Sequence, residues 1–274
     1  PGVAGVFSGR DLEAILGRPT AFGPVYRDQQ PLAVDLVRHV GDPVVAVVAR
    51  DLDIARAAAD LVEVTYEPLP AAFDLDAALA ADAPLVHADV RPPGTYGFAP
   101  GAAGTNECNR FRLRKGDVDA GLALADAVFE HEFELPPIQH APLDTHGATA
   151  WVRNGEVHAW TATQTPHGVR LQLAELFGLP VSRVRVEVPA IGGAFGGKGH
   201  AKLEPLVALL SLATGRPVRI QLERDEEFVT VTRHGARIRL RTGVMNDGRI
   251  VARSAQAWFN TGAYADIGPR VVWF

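Results

Sequence analysis

Val188-Pro189-Ala190-Ile191-Gly192-Gly193-Ala194-Phe195-Gly196-Gly197-Lys198-Gly199 places five glycines within eight residues, and the elements on either side of this run indicate the fold. Immediately upstream, residues 183–188 alternate apolar and polar side chains, the period of a half-buried strand. Downstream, the spacing predicts an amphipathic helix over 202–213 that closes at Gly215, with Pro205 tolerable only in the first turn. A strand, a glycine-dense turn and a helix amino terminus form a place where backbone N–H groups face an anion and where the missing Cβ atoms let a ligand approach closely. The bland alternative is a tight strand-to-helix connection that binds nothing. A phosphate loop is a further alternative, since Gly192 and Gly197-Lys198 fit G-x-x-x-x-G-K. That pattern needs a hydroxyl next to hold magnesium, and Gly199 stands there instead.

Working outward, residues 156–163 read as a strand that ends at Gln164. Thr165 is a good N-cap and Pro166 a good first helical residue. Val169, Leu173, Leu176 and Phe177 then share one helix face, and Gly178 falls where a C-terminal glycine is expected. Residues 237–244 alternate, turn at Asn246-Asp247-Gly248 and return through Ile250 and Val251, a hairpin signature. Nearer the amino terminus, 43–49 is a β-branched run suited to a buried strand, and Asp51 caps a helix over 52–61. Residues 62–66 alternate as a further strand that Pro68 and Pro70 stop. Strands and helices thus mix throughout, an α+β (mixed α/β) pattern. The Pro-, Gly- and Ala-rich stretch 84–107 reads as a linker between a unit at 1–83 and a second at 108–274; its alternative is a long surface loop within one domain.

Composition narrows the class. The 274 residues are 47% hydrophobic and 22% charged with a formal net charge of -5, which argues against nucleic acid or an anionic membrane as the main partner. Cys108 is the only cysteine, so the chain can hold neither an internal disulfide nor a thiolate-ligated cluster. No apolar run approaches the roughly 20 residues that span a bilayer. The start at Pro1-Gly2-Val3, without a basic segment or a Met, points away from a signal peptide and toward a non-native amino terminus, and a cytoplasmic location is expected.

The glycine-rich run closely resembles the G-G-G-F-G-G-K segment of the large subunit of molybdenum hydroxylases, the xanthine dehydrogenase/aldehyde oxidase family. Trp160-Thr161-Ala162-Thr163-Gln164-Thr165 resembles that family's S/T-x-Q segment. Gly215-Arg216-Pro217-Val218-Arg219 followed by Glu223-Arg224-Asp225-Glu226 resembles its T-G-R-P-V-R and R-D/E-E run. Residues 40–49 and 64–70 resemble two landmarks of its amino-terminal hammerhead domain. Five landmarks in order cover nearly the whole chain. The resemblance implies a hammerhead-type domain followed by the first part of a molybdopterin-binding domain. It also implies a bacterial protein truncated at both ends, because Pro1 to Phe7 resembles an internal family segment.

The resemblance further implies a molybdopterin cofactor, often extended by a cytosine nucleotide, whose dithiolene carries molybdenum. Gly193, Ala194, Phe195, Gly196 and Gly197 would contact it. Gln164 and Phe195 would lie near the metal without ligating it, Gln164 through its amide beside the oxo group and Phe195 through its backbone N–H, its ring packing in the core. Purine-oxidising members carry a substrate-orienting glutamate where this chain has Gly199, and Asp144 stands one methylene short of a frequent glutamate. Lys198 follows the motif; its bland reading is an exposed lysine at a helix start. His140, His146, His167 and His200 are expected in the core or at strand ends rather than on a metal. No catalytic residue is expected in this chain: the family's glutamate base would lie beyond Phe274. The parent would hydroxylate an aldehyde or N-heterocycle with oxygen from water. It would act with the remainder of the large subunit and with iron–sulfur and FAD partner subunits in an oligomer. The rival is a folded fragment that binds no cofactor.

Overall fold

Asn154 and Gly155, both with positive φ (54° and 72°), turn strand β4 (Gly147–Arg153) back on β5 (Glu156–Thr161), pairing Arg153 with Glu156 across a two-residue hairpin. This computed structural model describes residues 1–89 and 103–273; the central part of the expected linker, 90–102, and Phe274 lie outside the described residues. The hairpin is the middle of a four-stranded sheet in the order β6-β5-β4-β7, with β6 at Val184–Glu187 and β7 at Val218–Gln221. β5 and β6 are parallel, and the chain between them is the helix α5 (Pro166–Phe177) followed by a 3-10 turn at Val181–Arg183. As expected, Pro166 opens α5 and Gly178 closes it with a φ of 63°. Thr165, however, makes no side-chain cap; its hydroxyl donates to the Gly199 carbonyl instead.

The second helix on this sheet, here named α6 (Glu204–Thr214), is apolar on every side and buried from Glu204 to Ser211. It starts two residues later than the sequence suggests, because the Glu204 carboxylate takes the Lys202 N–H at 2.7 Å before the first helical turn. Its other oxygen accepts from Thr161 Oγ1 at 2.6 Å, which ties the helix start to the end of β5. Val157, Ala159, Val169, Leu173, Val207, Leu209 and Leu210 make the centre of the core.

The amino-terminal third adds to that same core. Strand β1 (Val3–Ser8) pairs antiparallel with β2 (Val45–Ala49). Between them α1 (Gly9–Leu16) starts at a Ser8–Asp11 capping box and inserts Leu12. Phe22 and Leu32 join it there. Asp51 caps α2 (Leu52–Ala59) by accepting the Ile54 N–H at 3.0 Å, as its position predicts. Residues 62–66 do not form the expected strand: they are mostly exposed and join no ladder among the described residues, where the β1–β2 sheet has two strands. Alternation alone makes no strand without a ladder to join.

Two short helices, α3 (Leu75–Leu79) and α4 (Val118–Ala123), precede a separate three-stranded antiparallel sheet, β3-β8-β9. Its strands are β3 (Ala127–Leu135), β8 (Gly235–Val244) and β9 (Ile250–Asn260), the last two being the expected hairpin. On one face Glu130, Glu132 and Glu134 stand opposite Arg241, Arg239 and Arg237. α7 (Arg224–Thr230) lies between β7 and β8 in sequence, and α8 (Gly268–Trp273) follows β9.

Candidate functional site

Four pieces of backbone meet beside the end of β5: the β5–α5 turn at Gln164, the glycine-rich run, the segment 139–146 that leads into β4, and α7. The glycine-rich run is stitched to the turn by its own carbonyls. Lys198 O accepts from Gln164 N at 3.0 Å and from Thr163 Oγ1 at 3.1 Å. The run therefore lies against the start of α5; the amino terminus of α6, on which the sequence argument for an anion site rested, begins only at Glu204.

The tip of the run is a tight turn. Gly197 N donates to Ala194 O at 2.8 Å, and the two central residues, Phe195 (φ 51°) and Gly196 (φ 94°), both have positive φ. That is the pattern of a type I′ turn, and a non-glycine residue at its first central position is strained. Phe195 is 73% exposed, so its ring does not pack in the core as expected. Gly197 has no room for a side chain, because a Cβ there would fall 2.9 Å from His140 Nδ1.

Gln164 is exposed, and its Oε1 accepts the Gly196 N–H at 3.0 Å. A backbone N–H can only donate, so the carboxamide oxygen must face the loop and the NH2 group must face away. Among the described residues no acceptor takes that NH2, nor the N–H groups of Gly193, Ala194 and Phe195. Gln164, Gly193, Ala194 and Phe195 thus keep unused donors in and beside a partly exposed loop, while the Gly196 N–H is spent on Gln164.

Behind those donors the loop is held by buried charge. Lys198 is 1% exposed, not at the surface as its bland reading had it, and its ammonium lies 2.7 Å from Asp144 Oδ1 and 2.9 Å from Asp144 O. The same Asp144 oxygen accepts Gly192 N at 2.8 Å, so one carboxylate fixes both ends of the glycine run. With its ammonium bound to Asp144, Lys198 does not reach outward as a phosphate-loop lysine must. Gly199 is buried as well, and a Cβ there would sit 3.1 Å from Gly196 O.

His146 sits buried at the start of β4. Its Nδ1 is 2.8 Å from Glu227 Oε1 of α7 and its Nε2 is 3.1 Å from Gly197 O. Burial alone would raise the Glu227 carboxyl, but the hydrogen bonds from the His146 ring and backbone outweigh it and hold the group below the ordinary carboxylate range. His140, packed on Gly197, is pushed down by burial. His167 is exposed on the first turn of α5 rather than in the core, and His200 is half-buried. Arg224 holds the 139–146 segment from α7 through the Pro142 and Leu143 carbonyls, both at 2.8 Å. Motif reading could place Gln164, the glycines, Lys198 and Asp144, but nothing in the local sequence singles out Glu227 from the acidic residues beside it.

The residues suit a cofactor that brings its own metal ligands. Among the described residues no three His, Cys, Asp or Glu side chains gather as a metal-ligand set. A cofactor that carries its metal on its own sulfur atoms needs no such set, only backbone access and donors, which the loop offers.

Comparison with known proteins agrees. Residues 101–274 match the family model of the molybdopterin cofactor-binding domain, and residues 1–70 match that of the aldehyde oxidase and xanthine dehydrogenase a/b hammerhead domain. A probable xanthine dehydrogenase subunit of Bacillus subtilis is 34% identical over 275 residues, covering the whole of this chain and 34% of that protein. The "Nicotinate dehydrogenase large molybdopterin subunit" of Eubacterium barkeri is 32% identical over 98% of this chain and 60% of its own length. The crystal structure of quinoline 2-oxidoreductase from Pseudomonas putida 86 superposes with a TM-score of 0.77 at 31% identity, covering 94% of this chain and 32% of that one. The chain therefore spans between a third and three-fifths of these relatives. It belongs to the molybdopterin-binding large subunits of the xanthine dehydrogenase and aldehyde oxidase family, with an a/b hammerhead domain ahead of a molybdopterin cofactor-binding domain.

Proposed function

We propose that this chain supplies one wall of the molybdopterin site in an oxidoreductase that hydroxylates an aldehyde or N-heterocycle with water as the oxygen source. The observation that carries the reading is the orientation of Gln164: the Gly196 N–H fixes its oxygen, leaving two amide protons aimed away from the loop. Among the described residues the N–H groups of Gly193, Ala194 and Phe195 in the same loop also have no acceptor, and an amide donates without titrating near pH 7. In this reading Gln164 and the Phe195 backbone approach the metal without ligating it, and Gly193, Ala194, Gly196 and Gly197 line the cofactor. Bound molybdopterin supplies the redox chemistry; the protein holds and orients it and shapes the charge around it.

The matched segments, 1–70 and 101–274, support a division into units at 1–83 and 108–274 joined through 84–107. The electrons must leave through centres that Cys108 alone cannot ligate, so iron–sulfur and FAD subunits are the proposed partners, together with further large-subunit sequence that supplies the base. A cytosine dinucleotide form of the cofactor and a cytoplasmic setting complete the proposal. Purification of the protein from its native host, with quantification of molybdenum, pterin and CMP released on acid hydrolysis and assay against aldehydes and N-heterocycles, tests it. Stoichiometric molybdenum with turnover is expected. A metal-free, pterin-free protein with its partner subunits present would overturn it.

A further inference from the structure

The type I′ turn at the tip of the glycine run holds Phe195 at a φ that strains a non-glycine residue and that persists only where surrounding structure forces it. The Ala194 O to Gly197 N hydrogen bond closes the turn and Gln164 Oε1 holds Gly196 N at 3.0 Å, but two such bonds alone do not hold such a conformation. What grips the turn from behind is a chain of three groups from three elements. The Glu227 carboxylate of α7, itself 1% exposed, lies 2.7 Å from His146 N and 2.8 Å from His146 Nδ1. His146 Nε2 lies 3.1 Å from the Gly197 carbonyl. The His146 ring thus bridges the Glu227 carboxylate and the Gly197 carbonyl.

A buried ion on a seven-residue helix is expensive unless paired, and apolar packing would serve the fold as well or better. Its partners here are the loop and the segment that lies against it. We infer that Glu227 and His146 are a positioning pair whose task is to pin the Gly197 carbonyl and so keep the strained Phe195-Gly196 turn, with its unused Phe195 N–H, in place. As a statement about the loop it stands on the geometry; its consequence for catalysis rests on the cofactor reading above.

The test uses Glu227→Gln, which keeps the volume and removes the charge, beside Glu227→Asp, which keeps the charge. Hydrogen exchange on the chain should show peptides within 192–199 exchanging about tenfold or more faster in Glu227→Gln while those within 204–214 keep wild-type protection, with partial recovery in Glu227→Asp. In the molybdenum-loaded parent enzyme with its partner subunits, the Glu227→Gln form should show a changed molybdenum EPR signal. Its kcat per molybdenum should also fall by about tenfold, with KM within about twofold, as loss of a positioning contact predicts. Unchanged exchange in 192–199, or equal acceleration in 192–199 and 204–214, overturns the inference, because the pair then serves only general stability. A wild-type parent without molybdenum overturns the cofactor reading instead, while the exchange result still decides the role of the pair.

Discussion

Lys198 Nζ lies 2.7 Å from Asp144 Oδ1 with the lysine 1% exposed, and that carboxylate oxygen also holds the Gly192 N–H at 2.8 Å. Removing the lysine leaves a partly buried carboxylate facing a cavity, whereas removing the carboxylate leaves a fully buried ammonium. Breaking a buried pair from one side costs about 3–5 kcal/mol. Because the Asp144 side chain keeps 30% exposure and can recruit water, Lys198→Met should fall at the lower end and Asp144→Ala at the upper. Urea denaturation of the two variants measures the difference; equal and small losses, under about 1 kcal/mol, would show the pair to be dispensable.

The ion pairs explain what sequence reading reaches and what it does not. The N-cap of α2, the Pro start and Gly end of α5 and the β8–β9 hairpin are legible because Asp51, Pro166, Gly178 and Asn246-Asp247-Gly248 act within a few residues of themselves. The sequence reading does not place β3, although Glu130, Glu132 and Glu134 alternate there with Phe129, His131 and Phe133. Residues 62–66 carry the same alternation and form no strand, because a ladder needs a neighbour and none is there among the described residues. The placing of Leu12, Phe22 and Leu32 in the core of the four-stranded sheet depends on contacts that span most of the chain. At the site, Gln164 and the glycines are legible as a motif. Lys198 with Asp144, 54 residues apart, and His146 with Glu227, 81 apart, are products of folding that no window of sequence contains.

Acid sensitivity should follow His200. Burial, the largest influence, holds its folded value near 4 against an ordinary 6.5, and Asp266 only partly opposes this. The folded imidazole stays neutral while the unfolded one takes a proton, so the stabilisation is complete above about pH 6.5 and is lost as pH falls toward 4, roughly 3 kcal/mol in all. His140 and His234, also lowered by burial, add in the same direction. His39 is raised by its hydrogen bond to Asp42, so its contribution is full below pH 6.5 and declines as pH rises above it. The lowered carboxylates Asp42 and Glu227 lose their contributions only at lower pH, as it falls below the ordinary carboxylate range. Urea midpoints of wild type and His200→Gln from pH 7.5 to 4.5 should converge as the pH drops; parallel curves would remove His200 from the acid response.

Substrate choice should reflect Gly199. This position has no side chain, and its backbone is buried with a would-be Cβ 3.1 Å from Gly196 O. If purine-oxidising relatives orient their substrate with a carboxylate here, this protein lacks a charged hydrogen bond worth about 1.5–3 kcal/mol, or roughly 10- to 150-fold in kcat/KM. The parent enzyme should therefore favour aromatic or heterocyclic aldehydes over xanthine and hypoxanthine. Xanthine emerging as the best substrate in a kcat/KM comparison would show that another residue does this work.

Gln164 separates into two functions that mutation can pull apart. Its oxygen accepts the Gly196 N–H at 3.0 Å and so supports the turn, while its NH2 group points away from the loop. Gln164→Ala removes both, whereas Gln164→Glu keeps an acceptor for Gly196 and loses the outward donor. If the outward donor is what the reaction uses, both variants should lose about 1–3 kcal/mol of transition-state stabilisation, a roughly 5- to 150-fold drop in kcat per molybdenum. Only Gln164→Ala should then loosen the 192–199 segment in hydrogen exchange. If the residue matters only as a support for the turn, Gln164→Glu should keep wild-type turnover and Gln164→Ala alone should fall. A surface residue with neither function would leave both variants within about 0.5 kcal/mol of wild type in stability and unchanged in rate. Molybdenum content, thermal midpoint and kcat measured on the same preparations distinguish the three cases, and wild-type kcat at full metal occupancy in Gln164→Ala takes the residue out of the site.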